Sequence, residues 1–215
     1  MTKQLHLDIA LRDDATFANY LGQASNIIAL KDPWLYVWGK SGTGRSHILQ
    51  AMCHHNEKSI YLDSISQYHS DILNGLESMD MICIDDVHEV LGNAEWEESL
   101  FHLMNSVRDG GKQIVLSGNS AALQLEVALP DLRSRLVAAT AVQTDDLSDE
   151  QKLEVMVARA HRRGYRLSLE VGRFVLARID RDMRKLAAIL DKVEGETLRQ
   201  GKTVTIPFIK QILNI

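Results

Sequence analysis

The residues from Gly39 to Ser46 read G-K-S-G-T-G-R-S and directly follow an apolar run, Trp34–Trp38. This is the spacing G-x-x-x-x-G-K-[ST] of a phosphate-binding loop, with Arg45 at the lysine position. Glycines let the backbone curl so that successive N–H groups point at one anion, and a following helix adds its positive N-terminal end. A helical stretch, Ser46–His54, follows the loop. The sequence therefore predicts a nucleoside phosphate site between a strand and a helix.

Short apolar runs and helical patterns alternate through the first two thirds of the chain. The expected buried strands are Trp34–Trp38, Ser59–Leu62, Met81–Ile84, Gln113–Leu116 and Ala139–Gln143. The expected helices between them are Ser46–His54, Ile65–Leu76 and Glu95–Arg108. Alternation of strands and helices at this spacing predicts a parallel sheet covered on both faces.

After Asp145 the strand signals end and helix signals follow one another. Capping residues and glycines predict helices over 148–163, 168–179, 181–200 and 207–213. We therefore expect three regions: an N-terminal peptide at 1–12, an α/β subdomain at 13–145 and an all-helical subdomain at 146–215.

Composition excludes several classes of protein. With 215 residues, 45% of them hydrophobic, the chain can build one sizeable core and a smaller second one. A net charge of -5 argues against a general nucleic-acid surface, which needs clustered Lys and Arg. Cys53 and Cys83 are expected to be buried thiols. No signal peptide, membrane span or lipidation motif is visible, so we expect a cytoplasmic protein with no membrane partner.

Polar residues follow two of the predicted strands and are candidates for chemistry. Asp85 and Asp86 end the strand Met81–Ile84. Beside a phosphate loop, Asp85 can hold Mg2+ through water, and Asp86 can orient or deprotonate an attacking water. Asn119 follows the next strand and could hold a γ-phosphate or a water, although taken alone it is more typical of a turn.

Three arginines bear on the mechanism. Arg45 keeps the positive charge of the loop lysine but has a larger planar fork, so we expect nucleotide binding to survive and hydrolysis in cis to be slow. Arg135 and Arg184 are each either a solvated surface residue or an arginine that reaches a phosphate from another domain or subunit.

The segment Gln4–Ile9 has apolar residues at alternate positions. It is either an edge strand or frayed terminus, or an extended peptide that docks on another protein.

Several segments together resemble the AAA+ ATPase domain of the bacterial replication initiator DnaA. They are Asp32–Gly39, Gly44–Ala51, Ile84–Asp86, Phe101–Asn105, Lys112–Val115, Phe17–Tyr20 and Ser25-Asn26. The resemblance implies an AAA+ P-loop NTPase fold: an αβα sandwich with a five-stranded parallel sheet, followed by a small helical lid.

Three features narrow the resemblance to the Hda family of DnaA-related regulators. The loop carries Arg45, no initiator-like DNA-binding helix-turn-helix follows up to Ile215, and Gln4–Ile9 is similar to the hexapeptide that docks on the DNA polymerase sliding clamp, with Asp8 as a departure. This implies an ADP-bound protein, without direct sequence-specific DNA binding, that sits on the DNA-loaded clamp. There it promotes hydrolysis of ATP held by DnaA and so prevents re-initiation.

The resemblance also assigns roles to residues. Nucleotide-binding residues would be Gly39, Lys40, Gly42, Thr43, Gly44, Arg45, Ser46, His47 and Arg184, with Arg184 at the sensor 2 position. Mg2+ would be held with ADP or ATP by Ser46 and Asp85. Catalytic residues would be Asp85, Asp86, Asn119 at the sensor 1 position, and Arg135 as an arginine finger acting in trans. Clamp-binding residues would be Gln4, Leu5, Leu7 and Ile9.

Two other functions remain open from the sequence. One is an autonomous AAA+ ATPase such as a helicase loader, which Asp85, Asp86 and Asn119 permit and Arg45 disfavours. The other is a scaffold in which nucleotide only stabilises the fold. Self-assembly through Arg135 into a dimer or larger species is a further hypothesis.

Overall fold

The computed structural model describes residues 11, 15–20, 27, 29–201 and 203–214. Their contacts divide them into two units: the described residues up to 40 together with 44–145, and residues 41–43 together with 146–214. None of the helices in this described part combines the length and the apolar character needed to cross a membrane.

A five-stranded parallel sheet forms the centre of the first unit, as predicted. Its strands are β1 (Trp34–Trp38), β2 (Ser59–Leu62), β3 (Met81–Ile84), β4 (Gln113–Gly118) and β5 (Thr140–Gln143). They lie in the order β2-β3-β4-β1-β5, so β1 pairs with both β4 and β5. Because the strands are parallel, their carboxyl ends share one edge of the sheet, the usual place for a ligand site in such folds.

Apolar side chains on both faces of the sheet are buried under helices α1 (Arg45–His54), α2 (Ala94–Asp109) and α3 (Pro130–Ala138). Leu35 and Val37 of β1 belong to the same buried cluster as residues of α1. Tyr36, which points to the opposite face, belongs to the cluster that contains residues of α2 and α3. Cys53 and Cys83 are buried free thiols, as predicted.

The helix predicted over Ile65–Leu76 is wrong. The segment forms three short 3-10 helices instead: Ile65–Gln67, Ser70–Leu73 and Leu76–Ser78. Tyr68 and Asn74 between them are extended, and Gly75 has a left-handed φ of 83°. The segment is rich in Ser, His, Asp and Asn, whose side chains compete for backbone hydrogen bonds and favour turns over helix interiors.

Helix α3 is not among the helices predicted from the sequence. Pro130 occupies its first turn, where a missing N–H costs nothing, and Leu132 and Leu136 are buried one turn apart. This helix carries Arg135.

The second unit is helical, with α4 (Asp149–Arg162), α5 (Leu169–Leu176), α6 (Met183–Gln200) and α7 (Ile206–Leu213). The predicted capping box is confirmed: Ser148 N–H donates to Gln151 Oε1 at 2.8 Å, and Gln151 N–H donates to Ser148 Oγ at 3.2 Å. Helix α5 ends three residues before the predicted Ile179. An apolar core built from all these helices holds the unit together.

Candidate functional site

The loop after β1 has the backbone conformation that its glycines predict. Gly42 and Gly44 have φ angles of 81° and 98°, in the left-handed region that other residues avoid. A Cβ on Gly44 would also lie 3.2 Å from Cε2 of Tyr20. Arg45 begins α1 directly after Gly44, so the first-turn N–H groups of the helix open onto the loop. A glycine cradle followed by a helix N-terminus is a donor set that fits phosphate oxygens.

Asp85 is a buried carboxylate, 4% exposed, at the end of β3. The Tyr61 hydroxyl donates to its Oδ2 at 2.9 Å, and the Ser117 hydroxyl donates to its Oδ1. Burial, reinforced by the Asp85 charge, raises the pKa of Tyr61 far above its ordinary range, so the phenol stays a donor. Each carboxylate oxygen keeps a second lone pair, which fits an outer-sphere contact to a magnesium-bound water.

Asp86 contacts the arginine of the loop. Arg45 Nη1 lies 2.7 Å from Oδ1 of Asp86. His88 Nδ1 lies 3.8 Å from the same oxygen. Asp86 has a left-handed φ of 51°, and its N–H donates to Ser117 Oγ at 2.9 Å. The role of Asp86 in orienting water stays a prediction; in this structure its carboxylate is paired with Arg45.

Asn119 is exposed in the turn after β4. Tyr36 holds this turn, because its hydroxyl donates to the carbonyl oxygen of Ser120 at 2.8 Å. A Cβ on Gly118 would lie 2.0 Å from the Tyr36 hydroxyl oxygen, so only glycine leaves room for the phenol. The sequence reasoning missed Tyr36 and Gly118 as supports of the Asn119 turn.

Arg135 is half-buried on α3 and is held by three side chains. Its Nε donates to Oδ1 of Asn105 at 3.1 Å. Its Cζ lies 5.2 Å from the ring centroid of Trp34 and 5.7 Å from that of Phe101. Aromatic rings at these distances attract a guanidinium group. The arginine is therefore oriented by the α/β unit rather than left as a freely rotating surface side chain.

Glu97 fixes the backbone that leads into α3. This carboxylate, 1% exposed, accepts the backbone N–H groups of Gly92 at 2.7 Å, Ala128 at 3.0 Å and Leu129 at 2.6 Å. Leu129 is the residue that precedes α3, so Glu97 of α2 caps the helix that carries Arg135. Sequence reasoning missed Glu97; the available signal was a glutamate on the apolar face of a predicted helix.

The other predicted loop residues have varied surroundings. Gly39 N–H donates to Gly118 O at 3.3 Å, which ties the start of the loop to the end of β4. His47 Nε2 lies 2.8 Å from the Thr16 carbonyl oxygen, and its ring is 5.7 Å from that of Tyr20. Lys40 is exposed and Thr43 is buried.

Arg184 lies in the helical unit, in the first turn of α6. Its backbone N–H donates to Oδ1 of Asp182 at 2.7 Å, which caps the helix. Oδ2 of the same carboxylate accepts the Ser41 hydroxyl at 3.1 Å. The predicted clamp-binding residues Gln4, Leu5, Leu7 and Ile9 lie outside the described residues.

No cluster of three or more His, Cys, Asp or Glu side chains that could hold a metal is present among the described residues. The hydroxyl of Ser46 and the carboxylate of Asp85 are hard oxygen ligands, which fit a magnesium ion that arrives with phosphate groups.

Family models match both units of the chain. The model of the bacterial DnaA ATPase domain matches residues 11–143, and that of the Hda lid domain matches residues 149–213. The chain is an Hda-like, DnaA-related AAA+ protein. An uncharacterized protein of Haemophilus influenzae is 38% identical over 231 residues, covering all of both chains.

Solved structures share the Hda-like fold. Domain III of Thermotoga maritima DnaA superposes with a TM-score of 0.80 at 23% identity, over 95% of this chain and 98% of that one. DnaA of Aquifex aeolicus, solved with AMPPCP bound, gives 0.67 at 20% identity over 89% of this chain and 69% of that one. The Holliday junction branch migration motor RuvB of Thermotoga maritima gives 0.68 at 13% identity, over 93% and 71%. These likenesses show an AAA+ fold with a helical lid.

Proposed function

We propose that this DnaA-related replication regulator, carrying ADP and docked on the DNA-loaded sliding clamp, promotes hydrolysis of DnaA-bound ATP and so prevents re-initiation. Arg135 supplies the arginine finger in trans. The observation that carries the proposal is the orientation of Arg135 by Asn105, Trp34 and Phe101. An arginine that enters another protein's site must be held in position beforehand, because otherwise its ordering would oppose the transition state.

Nucleotide in the protein's own site has a structural role in this proposal. The glycine cradle, Arg45 and the first turn of α1 bind phosphates, and Ser46 with Asp85 holds Mg2+, which neutralises phosphate charge. Arg45 places a planar fork where the loop pattern has a compact lysine ammonium, and this change in geometry supports slow hydrolysis in cis. Arg184 is assigned to nucleotide binding by its resemblance to the sensor 2 arginine.

Clamp docking rests on the peptide Gln4–Ile9. An extended peptide with Gln at one end and apolar side chains beyond it can fill a hydrophobic pocket. A peptide this short gives an affinity of roughly micromolar, about -8 kcal/mol. A ring-shaped clamp offers more than one site, which adds avidity.

The deciding experiment is single-turnover hydrolysis of ATP bound to DnaA, with this protein and DNA-loaded clamp. We expect Arg135→Ala to remove the stimulation, a loss on the order of 1,000-fold if the finger contributes as in other NTPases. Arg135→Lys should also fail, because an ammonium lacks the planar fork. Arg133→Ala is the matched control, since it removes an exposed arginine from the same helix.

The clamp step is tested separately by the double variant Gln4→Ala/Leu7→Ala. We expect loss of stimulation on loaded clamp with unchanged nucleotide binding.

Equal activity of Arg135→Ala and wild type would reject the role of Arg135 as the arginine finger. High ATP turnover by the purified protein without DnaA would instead favour the autonomous ATPase.

A further inference from the structure

The cation of the phosphate loop already has an anionic partner within the chain. Arg45 is only 5% exposed, and its Nη1 lies 2.7 Å from Oδ1 of Asp86. Arginine cannot lose its proton in a protein, so a nearby carboxylate is what makes its burial tolerable. The loop residue that should meet nucleotide phosphates is therefore neutralised in this structure.

The position of Asp86 is built by the backbone around it. Its left-handed φ of 51° is uncommon for a residue with a side chain, and such a conformation persists only when its surroundings hold it. The Ser117 hydroxyl supplies that support by accepting the Asp86 N–H at 2.9 Å and donating to Asp85. The pairing is thus part of the strand-end network and not a chance surface contact.

Phosphate and carboxylate would compete for the same guanidinium. A phosphate group is at least as strong a partner for the arginine fork as a carboxylate. A phosphate that takes Arg45 must also lie near the negative charge of Asp86, which opposes its entry. Both effects lower the affinity for nucleotide below that of a loop whose arginine is not paired with a carboxylate.

We infer that Asp86 is a competing counter-anion for Arg45, which nucleotide phosphates must displace. This inference rests on the proposed nucleotide site, although not on the proposed action on DnaA. It gives the second carboxylate after β3 a role in setting nucleotide affinity. It also links nucleotide binding to release of the Asp86 carboxylate from Arg45.

The test measures binding of MgADP and of MgATP to the isolated full-length protein by titration calorimetry. Asp86→Asn is the test variant, because asparagine tolerates the left-handed conformation as well as aspartate does. We expect it to bind both nucleotides about 10-fold more tightly, which is a coupling free energy of ordinary size. Asp63→Asn is the matched control: it removes an exposed carboxylate near Asp85, at the end of β2.

Stability without nucleotide is the second readout. Asp86→Asn leaves the Arg45 charge without its carboxylate, so the nucleotide-free variant should unfold at a lower temperature than wild type. A tenfold change corresponds to about 1.4 kcal/mol, which lowers Tm by roughly 3–5 °C in a chain of this size. With saturating MgADP the difference should largely close, because phosphate replaces the lost partner.

Competition predicts both changes together, tighter binding and lower stability without nucleotide. Weaker or unchanged nucleotide binding by Asp86→Asn would overturn the inference and make Asp86 a support of Arg45. If Asp63→Asn tightened nucleotide binding as much, or if nucleotide-free Asp86→Asn kept the Tm of wild type, general charge repulsion would explain the result and the inference would be rejected. Failure of the DnaA hydrolysis assay would reject the proposed function and leave these binding results unaffected.

Discussion

The two units of this protein use charged side chains in different ways. In the α/β unit, Arg45, Asp85 and Glu97 are buried, and each has the hydrogen-bond or ion-pair partners described above. The helical unit also buries Lys152 and Arg159, but its ion pairs, such as Arg159 with Asp191 at 3.8 Å and Arg181 with Asp149 at 2.9 Å, have carboxylates that reach solvent.

The α/β unit therefore holds buried charges in position, whereas the helical unit depends on apolar packing and helix caps. A buried charge is costly unless its hydrogen bonds are complete, whereas a surface ion pair contributes little. We therefore expect the α/β unit to respond strongly to loss of single polar groups. The helical unit should respond mainly to changes in packing and helix propensity.

Loss of the Glu97 carboxylate is the largest expected effect. Glu97→Ala removes a buried carboxylate and leaves three partly buried backbone N–H groups without their acceptor, so it should lower the free energy of unfolding by about 3–5 kcal/mol. Glu97→Gln keeps one acceptor oxygen, so it should lower the free energy of unfolding by about half as much. Urea unfolding followed by circular dichroism measures both.

Glu98→Ala is the control for Glu97, because its side chain is 73% exposed on the same helix. It should change the unfolding free energy by less than about 0.5 kcal/mol. If Glu97→Ala lowered the free energy of unfolding by no more than this control does, the expected sensitivity of the α/β unit to loss of single polar groups would be wrong.

Gly118→Ala should have the next largest effect. Its Cβ would lie 2.0 Å from the hydroxyl oxygen of the fully buried Tyr36. Overpacking of this kind costs about 2–3 kcal/mol when the neighbour cannot move. Thermal unfolding of Gly118→Ala alone and combined with Tyr36→Phe is the measurement, and the combination should recover part of the loss.

Recovery in that double variant would identify the phenol oxygen as the obstacle. Gly118→Ala with the Tm of wild type would show instead that the Asn119 turn moves readily to make room for the added methyl group.

The smallest expected effect is a gain in the helical unit. Gly195 lies inside α6 with open space where a Cβ would be, so Gly195→Ala should stabilise the unit by roughly 0.5–1 kcal/mol through helix propensity. Differential scanning calorimetry can measure this shift.

Gly172→Ala provides the opposite control within the same unit. Its Cβ would meet Leu153 Cδ1 at 2.3 Å, so it should destabilise despite the same gain in propensity. If both alanines stabilised equally, packing would not govern this unit.

Buried strands were the part of the fold most accessible from sequence. The bounds of β1, β2 and β3 coincide with the predicted runs, because strands covered on both faces are continuous apolar stretches between polar ones. The segment over 65–76 was harder, since Ile65, Ile72, Leu73 and Leu76 suit one face of a helix but are equally buried by short turns.

The loop and the two aspartates could be located from sequence because parallel strands bring their carboxyl ends together. Their partners could not. The contacts of Arg45 with Asp86 and of Glu97 with Leu129 join residues 41 and 32 positions apart, and no pattern in the neighbouring sequence predicts such a pairing. The site's connections are therefore a property of the folded unit.

The crossover from β2 to β3 has a consequence for how this fold can vary between relatives. In a continuous helix, one inserted residue rotates every later side chain by about 100°, because the turn holds 3.6 residues. In three separate 3-10 helices, the side-chain directions of one are not fixed by those of the next. An insertion or deletion between them moves only its own turn, so this crossover can change in length without disturbing the strand ends on either side.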